Sequence, residues 1–303
     1  MESKPPSSAT STGPVPDLLA TEPTGAGIPT HTAEEQGHAK GRILAVGWIL
    51  LFVIPILLMP FDLQISMWVN SLDLPGDIEK DMDAVQQFGQ FGSLILVFIL
   101  IFLLEPPTIR RTLLDLGLAM LIAVGIAVFL KTVLGRTRPW VEETSQFLGP
   151  GWGISDDRNW QQSASMPSSH SVAAAVLAVY LAWMRPRLAI LAVILAGLVA
   201  VWRVRVQAHF ASDVAAGLLL GALVATPVVH GHWGVRGLDW IWKRFVNHDA
   251  DRAFLDVRDA IDDRRSGLKR RWLPRLSARW SVVAICVLAL ILLILSTVHC
   301  PGA

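Results

Sequence analysis

Leu188–Asp213, LAILAVILAGLVAVWRVRVQAHFASD, is the stretch that decides the fold. Up to Trp202 it carries no charge. It reads as a helix crossing a bilayer, because about 20 apolar residues span the hydrocarbon core. The chain then places Arg203, Arg205, His209 and Asp213 at the exit of that crossing. Ionisable groups are costly in a membrane and, where they occur, mark function.

The same pattern runs through the rest of the sequence. Of 303 residues, 52% are hydrophobic and 17% charged, against about 25% charged in soluble domains. Apolar runs predict seven spans, at 43–60, 86–104, 113–133, 170–184, 188–202, 213–229 and 281–298. The fold class is therefore all-α: a polytopic helical membrane protein with a six-span core over 42–229. One extra C-terminal transmembrane helix lies within 281–303. Residues 1–41, rich in Ser, Thr, Pro and Gly, bury too little apolar surface to fold and read as a disordered tail. No apolar signal-peptide core is visible there, so the first span acts as an uncleaved anchor. GLLLG, Gly217–Gly221, has the small-xxx-small spacing that allows close helix approach. Two cysteines, Cys286 and Cys300, form neither a disulfide framework nor a metal cluster. A net charge of +1 gives no sign of a nucleic-acid partner.

Orientation follows the basic residues of the loops. With the N-terminus cytoplasmic, 19 of the 26 Lys and Arg face the cytoplasm, and the outer segment after span 1 is acidic, with Asp62, Asp73, Asp77, Glu79, Asp81 and Asp83. Residues 230–280 hold LDWIWKRF and DDRRSGLKRRWLPRLSARW. This basic cytoplasmic segment suits either a helix lying on anionic headgroups or a solvated connector.

Counting crossings, three polar groups reach the same outer edge of the membrane. These are Lys131 and Arg138 in KTVLGRTRP, Ser168, Ser169 and His170 in MPSSH, and Arg203, His209 and Asp213. Cations converging on one edge seek an anion, and the guanidinium fork matches phosphate oxygens. PSSH reads as a helix start, with Pro in the first turn and serines able to cap. The free N–H groups of such a start favour an anion. His209 and Asp213, four residues apart, share a face if a helix has begun. A carboxylate on one ring nitrogen then leaves the other free to attack phosphorus, while His170 serves as general acid. No carboxylate cage for two metals is present, so no cofactor is implied. Arg136, Arg205 and Arg158 taken singly read as interfacial anchors. Ser165 and Ser171 read as ordinary helix-start residues, and His230, His232, His248 and His299 as inert.

At these residues the sequence resembles the type 2 phosphatidic acid phosphatase family, the lipid phosphate phosphatases that share a superfamily with vanadium haloperoxidases. Its signatures are K-x6-R-P, P-S-G-H and S-R-x5-H-x3-D. KTVLGRTRP matches the first; PSSH matches the second with Ser169 for Gly; WRVRVQAHFASD matches the third with Trp202 for Ser. The resemblance covers spans 3 to 6. It implies that Lys131, Arg138, Arg203, Ser168 and the N–H groups near Ser169 hold the phosphoryl oxygens. It further implies that His209 attacks to give a phosphohistidine, that Asp213 holds His209, and that His170 protonates the leaving oxygen and then activates water, with no metal. The substrate class is a lipid phosphate or polyprenyl diphosphate whose tail stays in the bilayer. Three other readings remain open: a phosphotransferase on the same scaffold, a proton-coupled transporter, and a non-catalytic binder of lipid phosphate. The sequence says nothing of oligomeric state.

Overall fold

The computed structural model describes residues 46–47, 49–50, 52–141, 145–150, 157–245 and 257–260. All of them belong to the compact unit Arg42–Ala303. The N-terminal tail, nearly all of 246–280 and the seventh span fall outside the described residues.

Helices account for the fold, and among the described residues the sole β-feature is an isolated bridge between Arg136 and Phe147. Nine helices are named here: α1 Phe52–Asn70, α2 Gly76–Val85, α3 Phe91–Leu104, α4 Leu113–Leu134, α5 Asp157–Ser163, α6 Ser169–Met184, α7 Ala189–Arg205, α8 Ala211–Gly231 and α9 Trp233–Phe245. Four helical stretches are long and apolar enough to cross a membrane, and a fifth crossing counts if the bent α2–α3 pair is one span. The chain is a multi-pass membrane protein.

Two spans differ from the sequence expectation. The first runs on to Asn70 rather than stopping at Pro60. Pro60 sits in a 3₁₀ turn, Met59–Phe61, that leads straight into the next helical turn, and Asp62 lies buried inside the span instead of in an outer loop. The second is broken: α2, continued by the 3₁₀ turn Gln86–Gly89, meets α3 at a 66° bend. Gln90, extended with φ −110° and ψ 167°, makes that bend. The amphipathic α2 and the apolar α3 thus take the place of one straight crossing.

α6 and α8 form the centre, with α4 and α7 packed against them and α1 and α2 outside α7. The central pair is close because of two glycines. A Cβ on Gly217 would lie 2.6 Å from the Ser168 carbonyl oxygen, and one on Gly221 would lie 2.4 Å from that of Val172. The GLLLG spacing is therefore the contact surface between α8 and the start of α6. Gly89 approaches α6 in the same way, its Cβ position 2.5 Å from the His170 carbonyl oxygen.

At the opposite end of the bundle Asp115 docks α9. Its Oδ1 accepts from the N–H groups of Gly234 and Val235, and its Oδ2 lies 2.9 Å from His232 Nδ1. His232, expected to be inert, is thus part of this joint. Outward, α9 shows Trp233, Trp240, Trp242 and Phe245.

Candidate active site

Gly135 ends α4 in the left-handed region (φ 56°), and its N–H caps the Lys131 carbonyl. A side chain there would also meet the Gly149 carbonyl oxygen at 2.6 Å. The turn leaves Lys131 on the last turn of α4 and sends Arg136 and Arg138 back toward α8. Lys131 is buried and its ammonium donates to the Ala164 carbonyl.

Ser168 is the N-cap of α6, with extended backbone, and its oxygen faces the Ser171 N–H at 3.5 Å. Pro167 therefore stands before the cap rather than in the first turn. Ser169 begins the helix with ordinary helical backbone, so nothing there needs a glycine. The first N–H groups of α6 lack intrahelical partners and carry the positive end of the dipole. The Ser168 N–H is committed elsewhere, donating to the Asp213 carbonyl at 3.0 Å and joining the starts of α6 and α8.

α7 ends on Arg205, three residues past the expected end of its span, so Arg203 and Arg205 both occupy its last turn. Gln207 turns the chain with φ 57°, and the N–H groups of Ala208 and His209 close onto the Arg203 carbonyl at 3.2 Å. His209 is held in this turn, before α8 begins. α2 braces the same turn from outside. Asp83 accepts from the Trp202 indole at 2.8 Å, Gln86 from Arg203 Nη1 at 3.2 Å, and Glu79 from Arg205 Nη2 at 3.1 Å. Arg205 is thus an internal tie rather than a lipid anchor. Trp202 is buried at this contact.

Lys131, Arg138, Arg203 and His170 all act electrostatically on His209, so segments far apart in sequence converge here. Burial first, then the cations Lys131, Arg138 and Arg203, and last the His170 ring, hold the His209 pKa well below its ordinary value of 6.5. Burial also lowers that of Arg138, against the pull of Asp213. Among the buried atoms of the described residues that lack a hydrogen-bond partner are Nε of Arg138, Nε of Arg203 and Nδ1 of His209; Nε of Arg136 and of Arg205 lack one too, but those guanidiniums are spent on carboxylates through their Nη atoms. Buried donors are rarely orphaned, and two orphaned guanidinium donors beside a lysine and a helix start suit an oxyanion.

Asp213 does not sit as the four-residue spacing suggested. Its Oδ2 is 3.9 Å from His209 Nδ1, beyond hydrogen-bond range. The helix starts at Ala211, so the two residues share no helical turn, and Oδ2 instead accepts from the Phe210 N–H (2.9 Å) as an N-terminal cap. Ser165, expected to be an ordinary helix-start residue, donates its hydroxyl to the same oxygen at 2.5 Å.

Oδ1 of Asp213 belongs to Arg136, which is fully buried and ion-paired to Asp213 and to Asp62 at 2.6 Å each. The Phe210 ring covers its guanidinium, whose centre lies 4.6 Å from the ring centroid. Reading Arg136 as a lipid anchor is therefore wrong. Asp62, Ser212, Ser165 and Arg136 were all missed as site residues. The available signal was Arg136 itself, an arginine beside Arg138 in a turn fixed by glycine. Arg158 and His248 fall outside the described side chains.

Residues 112–236 match the PAP2 superfamily, the family that the three motifs resemble. Among solved structures, a transmembrane PAP2-type phosphatidylglycerolphosphate phosphatase from Bacillus subtilis is similar. It is 23% identical, with 67% of this chain and 98% of that chain covered and a TM-score of 0.43. No curated protein sequence matches.

Proposed function

We propose, for a chain that carries a PAP2 superfamily region over residues 112–236, that it is a metal-independent lipid phosphatase working through a phosphohistidine. One observation carries the reading. A buried neutral imidazole, His209, faces three cations, two of which keep unpartnered donors.

In this reading the phosphate of an amphiphile enters with its tail in the bilayer. Lys131, Arg138 and Arg203 bind its oxygens together with the Ser168 hydroxyl and the free N–H groups at Ser169. Such groups stabilise charge that develops on the phosphoryl oxygens in the transition state. His209 turns Nδ1 toward Asp213 and attacks with Nε2, forming a P–N bond as the P–O bond to the lipid breaks. His170, protonated once the phosphate has offset the surrounding cations, gives its proton to the leaving oxygen. Water then attacks phosphorus and passes a proton to His170. Inorganic phosphate leaves and His209 returns to its neutral form.

The substrate class is a lipid phosphate or a polyprenyl diphosphate, met on the extracytoplasmic face. The test is phosphate release by purified protein in detergent with EDTA, over a panel of lipid phosphates, with and without acceptor alcohols. Release that persists in EDTA and falls at least about 1,000-fold in His209→Ala is expected, the scale of losing a nucleophile. Full activity in His209→Ala, or release that stops in EDTA, refutes the mechanism.

A further inference from the structure

Asp213 forms a buried ion pair with Arg136, and such a pair, taken alone, is neutral. A neutral pair has little means to favour positive charge on the His209 ring 3.9 Å away, which already faces Lys131, Arg138 and Arg203. The missing negative charge comes from α1. Asp62 gives Arg136 a second carboxylate at 2.6 Å, with 4% of its side chain exposed. Two carboxylates around one guanidinium leave one net negative charge behind His209. Ser212 completes the connection: its hydroxyl accepts from Arg136 Nη1 and donates to Asp62 Oδ2, both at 2.5 Å.

We propose that Asp62 and Arg136 are positioning residues acting through Asp213. Arg136 fixes the Asp213 carboxylate, and Asp62 restores the negative charge that the guanidinium cancels, so that His209 can carry positive charge while bonded to phosphorus. The proposal rests on His209 being the nucleophile. It adds α1, which lies outside residues 112–236, to the working parts of the site.

A purely structural role is the rival, because Asp62 also accepts from the Ser212 N–H at 2.8 Å and so ties α1 to α8. Charge and shape separate under substitution. Asp62→Asn keeps the shape and loses the charge; Asp62→Glu does the reverse; Asp62→Asn with Arg136→Gln restores the net charge while removing both ion pairs. The readouts are phosphate release and calorimetric binding of orthovanadate, which takes the five-coordinate geometry of phosphorus under attack and needs no turnover.

Asp62→Asn is expected to lower kcat at little-changed KM and to weaken vanadate by about 10- to 100-fold, the usual cost of removing a partner that orients an active ligand. Asp62→Glu should retain more than Asp62→Asn, and the double variant should recover most of the loss. Wild-type behaviour in Asp62→Asn overturns the proposal. So does a double variant no better than Asp62→Asn at equal thermal stability. If the double variant does not fold, the order of Asn and Glu decides. His209→Ala, run in parallel, tests the underlying reading: unchanged vanadate affinity there counts against the phosphatase mechanism itself. A loss confined to His209→Ala counts against Asp62 alone.

Discussion

At the scale of single residues, the chemistry of this site is one of opposed burials. His209 is enclosed as a neutral ring among cations, so its pKa lies below the ordinary 6.5. The unfolded chain therefore binds a proton that the folded chain refuses. Stability is full above pH 6.5 and falls as pH drops below it toward the lowered folded value. Melting temperature should decline from pH 7 to pH 5, and His209→Gln should flatten that decline; an equally steep profile in the variant would contradict the assignment. The motif residues were legible because their charge is out of place beside apolar runs. Arg136 and Asp62 are charged too but were set aside, since a single arginine or aspartate at a span end is ordinarily anchored in water. Only the fold shows that the two meet, with Asp213 as the third partner.

At the scale of elements, helix type and order were legible and helix ends were not. Apolar length located α4, α6, α7 and α8 to within a few residues. It failed at α1 because Pro60 and Asp62 look like a boundary. Yet the turn at Pro60 is absorbed as 3₁₀, and Arg136 and Ser212 offset the cost of burying Asp62. It failed again at α2–α3, where Gln86, Gln87 and Gln90 looked like a weak beginning of one span and instead mark the 66° bend. The spacing of Gly217 and Gly221, a common pattern in membrane helices, proves to set the approach of α8 to α6. Gly217→Ala forces a methyl group to 2.6 Å from the Ser168 carbonyl. Overpacking of this kind costs about 1–3 kcal/mol. The variant should melt earlier and lose phosphate release as the cap at Ser168 shifts, whereas Gly237→Ala, with open space around its Cβ position, should do neither.

At the scale of the whole molecule, the bundle is polar at both ends for different reasons. One end gathers Lys131, Arg138 and Arg203, which form no ion pair among the described residues, around two histidines. The other joins Asp115, His232 and α9, with Arg111 ion-paired to Asp239 at 3.4 Å. The proposed orientation, argued from the loop charges, has the first end outside and the second in the cytoplasm. With Cys286 and Cys300 replaced by Ser, a membrane-impermeant maleimide added to intact cells should label Trp140→Cys beside the site. It should reach Arg187→Cys, in the loop between α6 and α7, only after lysis. The reverse pattern would invert the orientation and turn the proposed catalytic face to the cytoplasm.

The glycine contact between α6 and α8 also limits how such a site can diversify. His170 rides on one of these helices and His209 is fastened to the start of the other, and where the helices meet α8 offers only Gly217 and Gly221 to the Ser168 and Val172 carbonyls and the small Ser171 and Ala175 side chains. The interval between the proposed attacking base and the proposed proton donor is thus a fixed gauge, inherited from abutting helices.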